Sequence, residues 1–217
     1  MKWKYLLTFI KKHLKHTERA NWESVFDPLP LNSESRFCWG LLFSKSTNGV
    51  SDKITCNHFR KIIKKVGDLT LDKIIDDEIF ICRLLCNSSK QNMNTVAVQN
   101  VCNFIVKENK RNFCLKFEEL INFRDFAPKT VSLLLYCVFN KVTTVIVNRH
   151  VKNISKALGW CHSVSDDDEI SWHFFHLVPD NMKIIINDAC GAIMQYTLEE
   201  AKKICSNKKL LALMNKL

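Results

Sequence analysis

The sequence predicts an all-α protein, and three observations lead to that prediction. Apolar residues recur at helical rather than strand spacing along almost all of the 217 residues. Five glycines and four prolines are few for this length, which disfavours turn-dense β folds, Gly-rich phosphate loops and disordered linkers. The hydrophobic fraction of 47% supplies enough material for a core. We therefore predict about ten helices with short connections.

Each predicted helix carries an apolar stripe at a spacing of three or four residues. In chain order the stripes are Trp3-Leu6-Leu7-Ile10-Leu14, Phe59-Ile62-Ile63-Val66, Ala97-Val101-Phe104-Ile105, Val131-Leu134-Leu135-Val138 and Val151-Ile154-Leu158. Gly67 follows the second stripe as a helix-terminating glycine, and Pro128 precedes the fourth as a first helical residue. Thr197 and Glu200 have capping-box spacing ahead of a last helix.

Three segments depart from this helical pattern. Residues 142–147 have strand-like composition, and at this length they fit either a short strand or a buried extended connection. The polar stretch 87–94 is predicted to be a loop between helices. The acidic run Asp166–Glu169 fits the first turn of a helix, where it complements the helix dipole, and metal binding is the alternative.

Charge and cysteine usage restrict the partner and the compartment. The formal net charge of +10 favours a phosphate-rich partner, with an acidic membrane surface as the second candidate. No apolar stretch is long enough to span a membrane. Ten cysteines are scattered singly, and no signal peptide is recognised, so we expect reduced cysteines in a nuclear or other intracellular, DNA-associated protein. A mitochondrial presequence is the alternative for the amphipathic, acidic-poor N-terminus.

The most informative pattern lies between residues 117 and 160. Two helical patterns are joined through the turn 123–130 (FRDFAPKT), an extended apolar run follows, and Asn148 opens the next helix. This arrangement resembles the helix-hairpin-helix DNA glycosylase superfamily (HhH-GPD), specifically its endonuclease III-like enzymes. In that family the hairpin Leu-Pro-Gly-Val-Gly-Arg-Lys-Thr-Ala is followed by Val-Asp-Thr-His-Val. Lys129 and Thr130 match the family's Schiff-base lysine and its threonine, and residues 147–151 match the second motif.

Further segments match the family in the same order along the chain, at 41–48, 91–97, 172–179, 188–191 and 195–197. The resemblance implies two helical lobes flanking a cleft. Residues 25–140 would form a six-helix lobe containing the helix-hairpin-helix, and residues 1–24 plus 141–217 would form the second lobe. It also implies double-stranded DNA with a damaged or abasic site as the partner of a monomeric protein.

The departures from the family pattern are as informative as the matches. The hairpin glycines are replaced by Asp125 and Ala127, which predicts a weakened or remodelled grip on a DNA phosphate. Many family members hold an iron–sulfur cluster with four C-terminal cysteines, and this sequence has a cysteine, Cys205, at only one of those four positions. One thiolate cannot hold a cluster that needs four ligands, so no cluster and no other cofactor is expected.

The catalytic aspartate of the family is replaced by Asn148. A neutral amide cannot stabilise the positive charge that develops on the sugar, nor accept a proton. Asparagine caps a helix about as well as aspartate does, so the helix beginning near Arg149 should be kept. Lys129 is predicted to lie at a helix N-terminus, where the dipole favours its free amine and thus attack on an abasic-site aldehyde. A surface lysine near DNA phosphates is the alternative.

The resemblance also assigns residues that contact DNA. Lys45 matches a residue that enters the gap left by a flipped nucleotide, and it would contact the orphaned base or a phosphate, or be solvated. His150 would face the pocket or cap its own helix. The complete set is Lys45, Arg124, Ala127, Thr130 and His150 for DNA binding and Lys129 and Asn148 for catalysis. Cys161, His162, His173 and His176 have spacing compatible with zinc, but the interleaved aromatic residues favour helix packing, and we predict no metal.

Two functions remain open from the sequence. The first is a diverged endonuclease III-like DNA repair protein with Lys129-mediated cleavage at abasic sites (AP lyase activity) and weak or absent base excision. The second is a catalytically inactive DNA-binding or scaffold protein on the same fold, a pseudoenzyme. Lys129 favours the first, and the joint loss of the aspartate, the hairpin glycines and the cluster cysteines favours the second. An all-α protein-interaction module does not account for the ordered motif matches.

Overall fold

The computed structural model describes residues 22, 25–26, 31–47, 52–85, 90–113, 115–157, 161–162, 164–178, 180, 183 and 186. For residues 52, 53, 150, 154, 157 and 177 it describes the backbone alone. The predicted N-terminal stripe, the capping box at Thr197 and the segments 188–191 and 195–197 lie outside this range. So does Cys205.

The described residues form nine helices and no β-strand, and the prediction of an all-α fold is confirmed. The helices are α1 (Ser33–Ser46), α2 (Asp52–Val66), α3 (Leu71–Asp76), α4 (Glu78–Leu84), α5 (Gln91–Lys107), α6 (Phe117–Leu120), α7 (Pro128–Phe139), α8 (Arg149–Ala157) and α9 (Asp167–Leu177). None of them is both long and apolar enough to cross a membrane.

The chain divides into two compact units. One comprises residues 20–141 and therefore contains α1 to α7. The other comprises residues 1–19 and 142–217 and contains α8 and α9.

Local signals in the sequence set where several helices begin and end. The Asp166 carboxylate accepts the backbone N–H groups of Asp168 and Glu169 at 2.9 Å and forms a capping box with Glu169 at the start of α9. The helix-first-turn interpretation of residues 166–169 is therefore confirmed. Gly67 follows α2 with φ = 77°, and its N–H donates to Ile63 O. Pro128 begins α7, where the lack of an N–H costs nothing.

Helix α1 forms the centre of the larger unit. Nearly all of its residues from Ser35 to Ser46 are buried. It packs closely against α7, because Gly40 leaves no side chain between them. A Cβ atom at Gly40 would lie 2.3 Å from Cγ2 of Val138. Phe43 is fully buried and makes edge-to-face contacts with Phe26 and Phe59.

Residues 142–147 are a buried extended connection and not a strand. Thr143 to Val147 are all buried. Two hydrogen bonds join this connection to later residues: the Thr144 hydroxyl donates to Ser171 O at 2.8 Å, and the Lys183 ammonium donates to Thr143 O at 2.5 Å. Buried polar groups of the connection thereby have partners inside the protein.

The predicted loop at 87–94 was wrong for residues 91–94, because α5 already begins at Gln91. Asn94 is buried, and its side-chain amide donates to Lys45 O at 3.2 Å. That long-range bond gives a polar residue a place inside the helix and overrides its low helix propensity.

Candidate functional site

The turn between α6 and α7 forms a hairpin, which we define as residues 123–130. The N–H of Phe126 donates to Phe123 O at 3.1 Å and closes the turn. Asp125 adopts φ = 67°, and Ala127 is the N-cap of α7 with φ = −87° and ψ = 160°. The Ala127 side chain supplies no acceptor to the first N–H groups of α7, so this helix begins without a side-chain cap.

The hairpin keeps a left-handed residue although it contains no glycine. Asp125 takes that conformation, which aspartate and asparagine adopt more readily than most other non-glycine residues. Ala127, at φ = −87°, lies in a region open to every residue, so it needs no glycine. The replacement of the two family glycines is thus compatible with a closed turn at this point of the chain.

The alternative that Lys45 is solvated is wrong, whereas its expected contact with a base or a phosphate stays a prediction. Lys45 is only 1% exposed, and its ammonium donates to Asp125 O at 2.5 Å. The same ammonium lies 4.7 Å from the centroid of the Phe126 ring, a cation–π distance. A sequence signal for this burial existed, because Leu41 and Leu42 lie one helical turn earlier on the same side of α1, and both are fully buried.

Burial lowers the pKa of Lys45 from 10.5 to about 8, with the nearby Asp125 charge opposing that change and Lys90 reinforcing it. The unfolded chain therefore binds more protons than the folded one between about pH 8 and 10.5. Over that interval the free energy of unfolding is expected to rise by about 3 kcal/mol relative to that of Lys45→Met. Urea unfolding of both proteins, under reducing conditions, at about pH 7 and about pH 10.5 measures this difference. Parallel pH profiles for the two proteins would contradict it.

Lys129 is the second residue of α7 and is half-buried. Its ammonium lies 3.4 Å from the carbonyl oxygen of Thr47, the C-cap residue of α1. The end of α1 and the beginning of α7 therefore meet at this amine. An amine at this point can interact with an anion or a carbonyl carbon that approaches the hairpin. The adjoining helix N-terminus presents backbone N–H groups, which also attract an anion.

The other predicted hairpin residues differ in accessibility. The Arg124 side chain is 89% exposed, with Nε 3.8 Å from a carboxylate oxygen of Asp125. Thr130 is 2% exposed, so its side chain packs in the interior. The assignment of Thr130 to DNA binding stays a prediction.

Asn148 is the N-cap of α8, as the sequence predicts. Its side-chain oxygen accepts the N–H of Val151 at 3.0 Å, and its carbonyl accepts the N–H of Lys152 at 3.0 Å. The amide replaces a carboxylate here without loss of the cap. The side chain of His150 lies outside the described residues. Lys129 and Asn148 belong to different units of the chain.

No cluster of three or more metal-ligating side chains occurs among the described residues. Cys161, His162, His173 and His176 are thus not brought together as a zinc site. Trp172 is 41% exposed and contacts Phe175 and His176 of its own helix, whereas Phe174 is buried, which agrees with the predicted packing of an amphipathic helix.

Two solved structures share this arrangement of helices over nearly the whole chain. A non-covalent endonuclease III–DNA complex matches with a TM-score of 0.66 and 14% identity, over 96% of this chain and 98% of that chain. The fold is that of endonuclease III. A trapped covalent endonuclease III–DNA intermediate, described as an estranged-adenine complex, matches with a TM-score of 0.62 and 16% identity, over 88% of this chain and 84% of that chain.

A sequence relative supports the same assignment. A protein of Arabidopsis thaliana, named as a candidate DNA glycosylase, is 33% identical over 125 residues, which cover 52% of this chain. The chain spans 39% of the length of that relative. No family model matches the chain. The resemblance to the endonuclease III-like DNA glycosylase superfamily, in a diverged form, is confirmed.

Proposed function

We propose that this protein binds damaged or abasic double-stranded DNA through the hairpin, and that Lys129 cleaves abasic sites as an AP lyase. Base excision is weak or absent, because Asn148 carries no charge. The observation that carries the proposal is the Lys129 amine in the first turn of α7, within the hairpin of an endonuclease III fold. The protein would act as a monomer in the nucleus or another DNA-containing compartment.

Charge and geometry at the hairpin support the DNA partner. The N-terminus of α7 has no side-chain cap, and such a helix end attracts phosphate groups. The exposed Arg124 lies on the same turn, and the chain as a whole carries a net charge of +10. Both solved neighbours are endonuclease III bound to DNA.

The proposed chemistry needs an unprotonated amine and an open-chain sugar. The nitrogen lone pair of Lys129 attacks the C1′ aldehyde of the abasic site, and water leaves to give a protonated imine. Loss of a proton from C2′ then expels the 3′-phosphate and breaks the strand. The abasic sugar has already lost its base, so this route depends less on a carboxylate than base excision does.

Borohydride trapping tests the proposal directly. Reduction of the imine leaves a stable C–N bond between the protein and an abasic-site oligonucleotide, seen as a slower band on a denaturing gel. Wild type is expected to give the adduct, and Lys129→Ala is expected to give none. Lys107→Ala, an exposed lysine at the end of α5, is the matched control and should trap as wild type does. An adduct that survives in Lys129→Ala would remove Lys129 as the nucleophile.

Borohydride trapping also distinguishes the proposed AP lyase from the second candidate function, a non-catalytic DNA-binding scaffold. That candidate is favoured by Asn148, which keeps the cap of α8 while removing the carboxylate. It predicts DNA binding without any trapped adduct from wild type. For both functions, the logarithm of the DNA association constant should fall linearly with the logarithm of the salt concentration, with a slope of about 0.9 per phosphate contact. An affinity that does not change with salt would contradict both functions.

A further inference from the structure

We propose that Lys45 is a positioning residue for the hairpin, and that its buried ammonium holds the turn in the conformation that presents the N-terminus of α7 to a DNA phosphate. This inference rests on the proposed function for what the hairpin binds. The sequence predicted that Lys45 contacts the orphaned base or a phosphate, or is solvated, whereas the proposed role is exerted from inside the protein.

The ammonium contacts two successive residues of the turn. It donates to Asp125 O at 2.5 Å and lies 4.7 Å from the Phe126 ring centroid. Asp125 is the left-handed residue, with φ = 67°, and Ala127, two positions later, is the N-cap of α7. The contact therefore lies immediately before the helix end that would meet the phosphate.

One peptide plane is held from both sides. Asp125 C=O and Phe126 N–H belong to the same planar peptide unit. Lys45 donates to the carbonyl oxygen, and the N–H donates to Phe123 O at 3.1 Å. With both polar groups of this plane bound, its orientation is fixed, and the direction of the following Ala127 backbone is restricted with it. A glycine-containing hairpin needs no such support to occupy a left-handed conformation, whereas a turn with Asp125 does.

The side of the protein that carries Lys45 is itself held in place. Lys45 O accepts the Asn94 amide at 3.2 Å, which ties the end of α1 to the first turns of α5. The hydroxyls of Ser44 and Ser46 donate to carbonyls of the preceding turn, at 2.9 Å in both cases. The ammonium thus acts from a buried helix end, where a charge-assisted hydrogen bond to a carbonyl is strong.

Hydrogen exchange at the Phe126 amide tests this role without DNA. In Lys45→Met the stem is kept and the donor is lost, and exchange at Phe126 is expected to accelerate by about ten-fold or more. The amide of Ile74, which donates to Thr70 O in α3, should be unaffected. Lys183→Met is the matched control: Lys183 is also buried and also donates to a backbone carbonyl, but in the other unit. It should leave Phe126 exchange unchanged.

DNA binding provides the second readout. Lys45→Met is expected to weaken binding of abasic-analogue duplex by about ten-fold, with the salt slope unchanged, because the buried ammonium contacts no phosphate. A slope reduced by about one would show that Lys45 contacts a phosphate directly, and it would overturn the positioning role. Unchanged Phe126 exchange in Lys45→Met would overturn it as well.

Two provisions keep the outcome decisive. If wild type binds no DNA, the proposed function fails, while the exchange measurement still decides whether Lys45 holds the turn. If Lys45→Met does not fold, wild type alone suffices: nuclear Overhauser contacts between the Lys45 ε-methylene and the Phe126 ring are expected, and their absence would contradict the inference.

Discussion

Phe43→Ala is expected to lower the free energy of unfolding by about 3–5 kcal/mol, the cost of emptying a buried aromatic site. Phe43 is fully buried on α1, with ring centroids 6.0 Å from Phe26 and 5.4 Å from Phe59. Both contacts are edge-to-face, an arrangement that adds to the burial of apolar area. Since small domains have about 5–15 kcal/mol of total stability, this single change removes a large part of it.

Urea or thermal unfolding, followed by circular dichroism, measures the loss. Ile79→Ala is the control, because Ile79 lies on α4 with 68% of its surface exposed, and its truncation should change stability by about 0.5 kcal/mol or less. A loss below about 1 kcal/mol for Phe43→Ala would contradict the packing of α1 against its aromatic neighbours.

The sequence predicted those features that depend on residues a few positions apart. The stripe at Phe59 and Ile63 gave α2, and Gly67 marked its end, because periodicity and capping are properties of a single helix. The same holds for the acidic run Asp166–Glu169, which was predicted to be the first turn of a helix and begins α9. Asn148 belongs to this group as well: its bond to Val151 spans three residues, so its role as a cap followed from the residue type alone.

Features that depend on distant residues were not predictable in this way. The hydrogen-bond acceptor of Lys45, Asp125 O, lies 80 positions away along the chain. The residues near Lys45 in the sequence do not indicate this acceptor. A lysine is expected at the surface, and the position that Lys45 matches in the family suggested a contact with a base or a phosphate, or a solvated side chain. Asn94 was likewise assigned to a loop, because its acceptor, Lys45 O, lies 49 positions away. Both errors concern buried polar groups, whose burial is tolerated only when the fold supplies a partner.

The hairpin shows how a family pattern and local physics combine. The resemblance located the turn, and the missing glycines indicated that the turn would be weakened or remodelled. Local sequence could not show that Asp125 takes the left-handed conformation and that its carbonyl is bound by a lysine from α1. In this chain a hairpin without glycine and a buried lysine that binds its carbonyl occur together, and only the three-dimensional contact makes that combination visible.

Asn148→Asp is expected to raise base excision by on the order of a hundredfold, since it restores a charge that stabilises the positively charged sugar as the base leaves. The change is isosteric, and aspartate caps a helix as well as asparagine does, so α8 should keep its bond to the Val151 N–H. Release of free base from a panel of duplexes, each with a different damaged base, measures the gain independently of strand cleavage.

Two further substitutions at the same position separate the charge from the cap. Asn148→Ser keeps a capping oxygen without a charge, so it should retain wild-type stability and show no gain in excision. Asn148→Ala removes both the cap and the amide, and it should lower the free energy of unfolding by about 1 kcal/mol. If Asn148→Asp folds normally and excises no base from any duplex, the carboxylate is not what the protein lacks, and the pocket for a flipped base has been lost as well. In that case the AP lyase step at Lys129 stands or falls on the trapping experiment alone, because an abasic site presents no base to be held.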